Sequence, residues 1–161
     1  MVSNDPEIMS YYRNLSVAVY KGDAFYQYLP PFNPRFAYPE YLFKGEVSLD
    51  PNPAYEEVRG CLQLIGLDKE NLGSTKWNPH KEIIRPGDKV VIKPNFVLSA
   101  HDEGGNLFAI ITHPSVLRTV VDYVYKALNG EGKIIIADAP QMDCNFNEIL
   151  EKTNLPSIQE F

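Results

Sequence analysis

Two short apolar runs constrain this chain more than any other feature. Lys89-Val90-Val91-Ile92-Lys93 and Lys133-Ile134-Ile135-Ile136-Ala137-Asp138 are rich in β-branched residues, and neither alternates apolar with polar positions. An unbroken run of this kind suits a strand covered on both faces, as in a parallel sheet. Between the runs, Val116, Leu117, Val120, Val121, Val124 and Leu128 recur at spacings of three and four, a helical stripe from about Pro114 to Leu128. Asp122 and Lys126 stand four apart on the side this spacing leaves exposed. Asn129-Gly130-Glu131-Gly132 then stops the helix. Strand, helix and strand in this order read as parallel pairing through a right-handed crossover. The predicted fold class is therefore α/β: a three-layer, mainly parallel, Rossmann-like sheet.

The remaining segments fit one domain over residues 1–161. Residues 14–23 hold Leu15-Ser16-Val17-Ala18-Val19-Tyr20, which predicts a first strand ending at the turn Lys21-Gly22-Asp23. Residues 24–50 are rich in proline and aromatic side chains. Pro30, Pro31, Pro34 and Pro39 forbid a regular helix or central strand there. Eight of the chain's 19 aromatic residues lie between Phe25 and Phe43 and need burying, so the segment is expected to be ordered and packed on the domain or a partner. A helix is predicted over 52–66, with Asn52 as cap, Pro53 in the first turn, a buried face of Val58, Cys61, Leu62 and Ile65, and Gly66 as the left-handed stop. Residues 67–82 read as irregular with Trp77 as an anchor. The β-loop-α-β-α unit spans 84–161 and closes with a helix from about Asn145 to Lys152.

In an open parallel sheet, ligands bind beyond the carboxyl ends of the strands. That rule selects Lys93 and Asn95 after the first run, Asp138 after the second, and Thr112 and His113 at the start of the crossover helix. Lys93, Asn95 and Thr112 beside a helix N-terminus suit an anionic small molecule, a phosphate or a carboxylate. Asp138 and His113 suit an acid–base pair or two metal ligands. Each residue also has a plainer role open to it. Lys93 can end a strand in solvent, Asn95 can shape a turn, Thr112 can cap the helix, and His113 can cap and pack. The long loop from Leu98 to Ile111 carries His101-Asp102-Glu103, read as exposed polar loop, and no metal site is assigned. Gly104-Gly105 beside it suggests a mobile lid. No GxGxxG, Walker or GxSxG motif occurs, so the cofactor stays open.

The formal charge of −6 gives no basic stripe for nucleic acid. No run approaches the roughly 18 apolar residues of a membrane span, and Met1-Val2-Ser3-Asn4-Asp5-Pro6 lacks a signal-peptide pattern. A cytoplasmic location is expected. Cys61 and Cys144, the two cysteines, are read as free thiols.

The series Pro86-Gly87-Asp88-Lys89-Val90-Val91-Ile92-Lys93-Pro94-Asn95, then Thr112-His113-Pro114, then Ile134-Ile135-Ile136-Ala137-Asp138-Ala139-Pro140 resembles domain-of-unknown-function family 362 over about residues 84–140. The Tyr38-Pro39-Glu40-Tyr41 region resembles some members associated with polysaccharide-synthesis gene neighbourhoods. The resemblance implies the N-terminal part of a longer protein. Some relatives carry a ferredoxin-like cysteine cluster that nothing here supplies, and the resemblance implies no activity. The expected function is thus an uncharacterised enzyme or enzyme half acting on a sugar- or nucleotide-linked anion at the sheet's carboxyl edge. The alternative is a binding or assembly module in surface-polysaccharide biosynthesis that uses residues 25–43. A truncated sheet leaves an open edge, so a homodimer, or contact with a missing C-terminal part, is expected as well.

Overall fold

The structure, a computed structural model, describes residues 16–23 and 25–158. Its regular elements are α1 (Pro53–Leu64), β1 (Lys89–Ile92), α2 (Pro114–Leu128), β2 (Lys133–Ile136) and α3 (Phe146–Thr153). Short 3-10 turns occupy Lys69–Asn71, Leu107–Ala109 and Leu155–Ile158. The fold is mixed helix and strand around a small open parallel sheet. β1 pairs with β2 in register, Lys89 opposite Lys133 and Ile92 opposite Ile136. Parallel pairing obliges the chain to return to the same end of the sheet before the second strand begins, and α2 makes that return.

Helix starts follow the expected chemistry. Asn52 precedes Pro53, and its side chain accepts from the Tyr55 N–H at 3.2 Å. Asn145 caps α3 in the same way, accepting from the Glu148 N–H. α2 ends at Asn129 in the left-handed conformation, followed by Gly130 at φ 80°.

Among the described residues, α2 covers one face of the sheet and the other is largely open. Val90, Ile92 and Ile134 pack against Val120, Val124, Ala127 and Leu128 of α2, whereas Val91 on the opposite face is 59% exposed. The expectation of strands covered on both faces is therefore corrected among the described residues. An apolar run records β propensity and burial together, and it reads alike whether or not a second layer is present. Below the carboxyl end of the sheet a second cluster joins Phe32, Phe96, Ile111, Leu117, Ile149, Leu155 and Ile158.

The strand expected over 14–23 is corrected as well. Residues 16–23 form no strand, and residues 14 and 15 lie outside the described residues. A strand exists only through ladder bonds to a neighbour, and here Val17 and Val19 are 85% and 82% exposed. Tyr20 instead rests on Gly60 of α1, where any Cβ would collide with its ring.

The buried side of α1 is Pro53, Ala54, Tyr55 and Gly60. Val58, Cys61 and Leu62 are half-buried and Ile65 is exposed, contrary to the predicted face. The helix turns toward α2 because Tyr55 finds Asp122 there, while Arg59 finds Glu40 of the proline-rich segment, which also bonds Tyr123 of α2. Arg118 is wholly buried, and its Nε donates to Asp122 Oδ1 at 2.8 Å. Asp122 Oδ2 accepts from the Tyr55 hydroxyl at 2.9 Å, and Arg118 also reaches the Pro31 carbonyl and the Tyr41 hydroxyl. Alongside, Glu40 accepts from Arg59 Nε at 2.6 Å and from the Tyr123 hydroxyl at 2.9 Å. The Arg59 guanidinium lies over Tyr38 and Trp77. Asp122 is thus no exposed partner of Lys126, whose ammonium donates to the carbonyls of Glu40 and Thr75. The proline- and aromatic-rich segment covers that side of α2, a contact more than 70 residues away in sequence that helix periodicity cannot report. Trp77 is fully buried, with Nε1 donating to the Leu67 carbonyl. Cys61 and Cys144 are free.

Burial pushes the Asp122 carboxyl up to about 6, while Arg118 and Tyr55 pull it down. Arg118 supplies its counter-charge, 2.8 Å away. Arg118→Ala should lower stability by about 3–5 kcal/mol in urea unfolding, the scale of an abandoned buried charge. Arg118→Met combined with Asp122→Leu should lose much less. Equal losses for both variants would refute the pairing as the cause.

Candidate functional site

The site is assembled where β1 and β2 end. Because the strands are parallel and in register, Lys93 follows β1 at the same edge where Asp138 follows β2. The two meet: Lys93 Nζ lies 2.6 Å from Asp138 Oδ1. The pair is asymmetric, since the Lys93 side chain is 68% exposed and that of Asp138 only 4%. Asp138 is also the acceptor that shapes both turns. Its Oδ2 takes the Phe96 N–H at 2.6 Å and its Oδ1 takes the Ala139 N–H at 2.8 Å. Lys93 first, and then the Phe96 N–H, hold its carboxyl below the ordinary range.

Asn95 and Thr112 close the loop that begins and ends at this edge. The Asn95 N–H donates to Thr112 Oγ1 at 2.9 Å, and the Thr112 N–H returns a bond to the Asn95 carbonyl at 2.8 Å. Asn95 Nδ2 donates to the Ile110 carbonyl, and Phe96 bridges Ile111 in antiparallel fashion. Residues 95–112 are therefore one closed loop with a zipped base. The Gly104-Gly105 turn expected as a lid sits at its far end, with Gly104 at φ 68° and His101 packed over Gly105.

His113 is the N-cap of α2. Its Nδ1 accepts from the Ser115 N–H at 3.1 Å and lies 2.7 Å from Ser115 Oγ. The ring is buried and stacks flat on Tyr26, centroids 4.2 Å apart, with Phe108 and Phe32 at its edges. Burial lowers its pKa to about 4. Thr112 is thus no cap, and the first helical N–H groups are already engaged by His113, through its side chain and its carbonyl.

The five residues selected from sequence lie in one connected patch, linked through Asn95–Thr112 on one side and Lys93–Asp138 on the other. Sequence reasoning missed Ser115, Tyr26 and Phe108, which fix His113. For Ser115 a signal existed, because residues just inside a capped helix start are natural partners of the cap. Tyr26 lies 87 residues from His113 and left none. Among the described residues, no group of three or more His, Cys, Asp or Glu side chains is placed to hold a metal ion. No helix among them is long and apolar enough to cross a membrane.

Residues 90–160 match the model of the family described as domain of unknown function (DUF362). The matched segment takes in β1 from Val90, α2, β2 and α3, and with them Lys93, Asn95, Thr112, His113 and Asp138. No curated protein and no solved structure matches the chain.

The His113 cap carries a pH signature. Its value in the folded state lies below the ordinary 6.5, so the unfolded chain takes up the proton first. The contribution is complete above pH about 6.5 and is lost as pH falls toward 4, by about 3 kcal/mol in all. His113→Asn keeps a capping oxygen and should flatten the stability profile over that window in urea titrations at stepped pH. The same slope in the variant and the parent would assign the effect elsewhere.

Proposed function

We propose that the carboxyl edge of this sheet binds the anionic group of a small molecule, sugar- or nucleotide-linked, and that the chain is an enzyme or enzyme half acting on it. The observation that carries this reading is the Lys93 ammonium, which stands largely in solvent while the shielded carboxylate of Asp138 aims it. A flexible lysine on an open surface samples many rotamers and loses that freedom on binding. Lys93 has already lost part of it, so an arriving phosphate or carboxylate meets a pre-set charge.

Within this reading Lys93 is the anchor, while Asn95 and Thr112 hold the loop base beside it. Asp138 acts as an orienting carboxylate. A depressed pKa and three engaged donors make it a poor proton acceptor. His113, kept neutral as a cap, supports the loop and is not placed here as an acid. β1 and β2 are taken as the centre of a larger, mainly parallel, Rossmann-like sheet with a right-handed crossover through α2. A cytoplasmic location belongs to the same proposal.

One observation favours a second reading, an assembly module of surface-polysaccharide synthesis. Phe25, Tyr26, Tyr28 and Phe36 are exposed on a segment whose Phe32 and Tyr41 are buried and whose Tyr38 and Phe43 are half-buried. Such a patch is what a docking segment presents.

Calorimetric titration with inorganic phosphate and with a sugar phosphate separates the two. The anion reading expects saturable binding that Lys93→Ala weakens by about 1.5–3 kcal/mol, the worth of a charge-assisted hydrogen bond, without change in the far-ultraviolet dichroism. No binding by the parent chain, or equal binding by the variant, would remove the anion reading and leave the module.

A further inference from the structure

A second feature lies away from the Lys93 edge and is independent of the anion reading. Beside β2 runs a groove of about 370 Å³. Val121, Tyr125 and Leu128 of α2 form one wall, and Ile134 and Ile136 line the strand side. Glu131 stands where β2 begins, and the other ionisable carboxylate lining the groove, Asp122, is already paired with Arg118. The charge left for a partner is therefore negative.

The strand beside the groove has an open edge. The Lys133 N–H donates to the Asp88 carbonyl and the Ala137 N–H to the Ile92 carbonyl, so the odd-numbered residues of β2 face β1. The backbone groups of Ile134 and Ile136 face away from it, and no other strand pairs with β2 among the described residues. An apolar groove beside unpaired N–H and C=O groups fits an added strand, whose main chain completes the ladder while alternate side chains fill the groove.

The same chain carries a segment with the complementary chemistry. Ser16-Val17-Ala18-Val19-Tyr20-Lys21 is β-branched at alternate positions and forms no strand. Val17 and Val19 are almost fully in water, and Lys21 supplies the opposite charge to Glu131. Five or six extended residues reach roughly 17–20 Å, enough to run the length of β2. Within one chain the segment is held elsewhere. Tyr20 is seated on Gly60 of α1, and α1 packs on the side of α2 that carries Arg118 and Asp122, away from the side that meets the sheet.

We propose that residues 16–21 of a second copy of this chain add as an antiparallel strand to the open edge of β2. Val17 and Val19 enter the groove, and Lys21 lies against Glu131 at the amino end of β2. The antiparallel direction follows from that charge pairing. The exchange is reciprocal, so two copies each extend the other's sheet by one strand.

The test is sedimentation equilibrium of the full chain combined with hydrogen exchange at Ile134 and Ile136. A dimer is expected, with both amides protected. Val17→Asp with Val19→Asp, at positions that are exposed and contribute nothing to the core, should raise the dimer dissociation constant at least tenfold and deprotect both amides. Glu131→Lys should weaken the dimer as well, and adding Lys21→Glu should restore it. A chain that is monomeric throughout the concentration range overturns the proposal. So does a dimer indifferent to the Val17 and Val19 changes. A monomer whose amides are protected until those changes are made would assign the edge to the chain's own segment, and it overturns the two-copy arrangement.

Discussion

The carboxylate of Asp138 is the contact on which the carboxyl edge depends. Parallel pairing brings the ends of β1 and β2 side by side, but it does nothing to shape the turns that follow. Asp138 shapes them, taking the N–H groups of Phe96 and Ala139 and the ammonium of Lys93. Phe96 is fully buried and anchors the core below the edge, so one side chain couples the packing of the lower cluster to the placement of a surface charge. An ordinary surface ion pair contributes little to stability. This one differs because its acceptor is shielded from water and shared with two backbone donors.

A second polar core holds the other half of the molecule. Arg118–Asp122–Tyr55 and Arg59–Glu40–Tyr123 fasten the proline-rich segment and α1 to the back of α2. Prolines deny that segment its own ladder, and the buried charges position it. Such networks are demanding, because each partner left alone would be costly. They also help to hold residues 30–43 in place without helix or strand, together with local backbone bonds such as Ser48 N–H to the Pro34 carbonyl.

The β-α-β unit and its carboxyl edge were legible because their signals are local. Consecutive β-branched residues, a stripe at three and four, and the rule that ligands meet strand ends together led to Lys93 and Asp138. The sites of error share a cause. Asp122 reads as solvent-facing until residues 31–41 arrive to cover it, and His113 reads as chemistry until Tyr26 and Phe108 enclose it. The exposed face at Val91 was invisible for a different reason, since a strand's sequence does not say how many layers cover it. One plainer reading was legible locally: His113-Pro114 has the same grammar as the Asn52-Pro53 cap and first turn, and His113 does cap α2.

The central claim is that Asp138 presents Lys93 as a pre-set anion anchor. Nuclear magnetic resonance of the lysine ammonium groups tests it most directly, with inorganic phosphate titrated into the parent chain and into Asp138→Asn. The account predicts that the Lys93 resonance starts displaced from the other lysines and moves saturably with phosphate. In Asp138→Asn it should start among the others and respond weakly. A Lys93 signal indistinguishable from the remaining lysines in the parent chain, shifting only in step with them, would contradict the account.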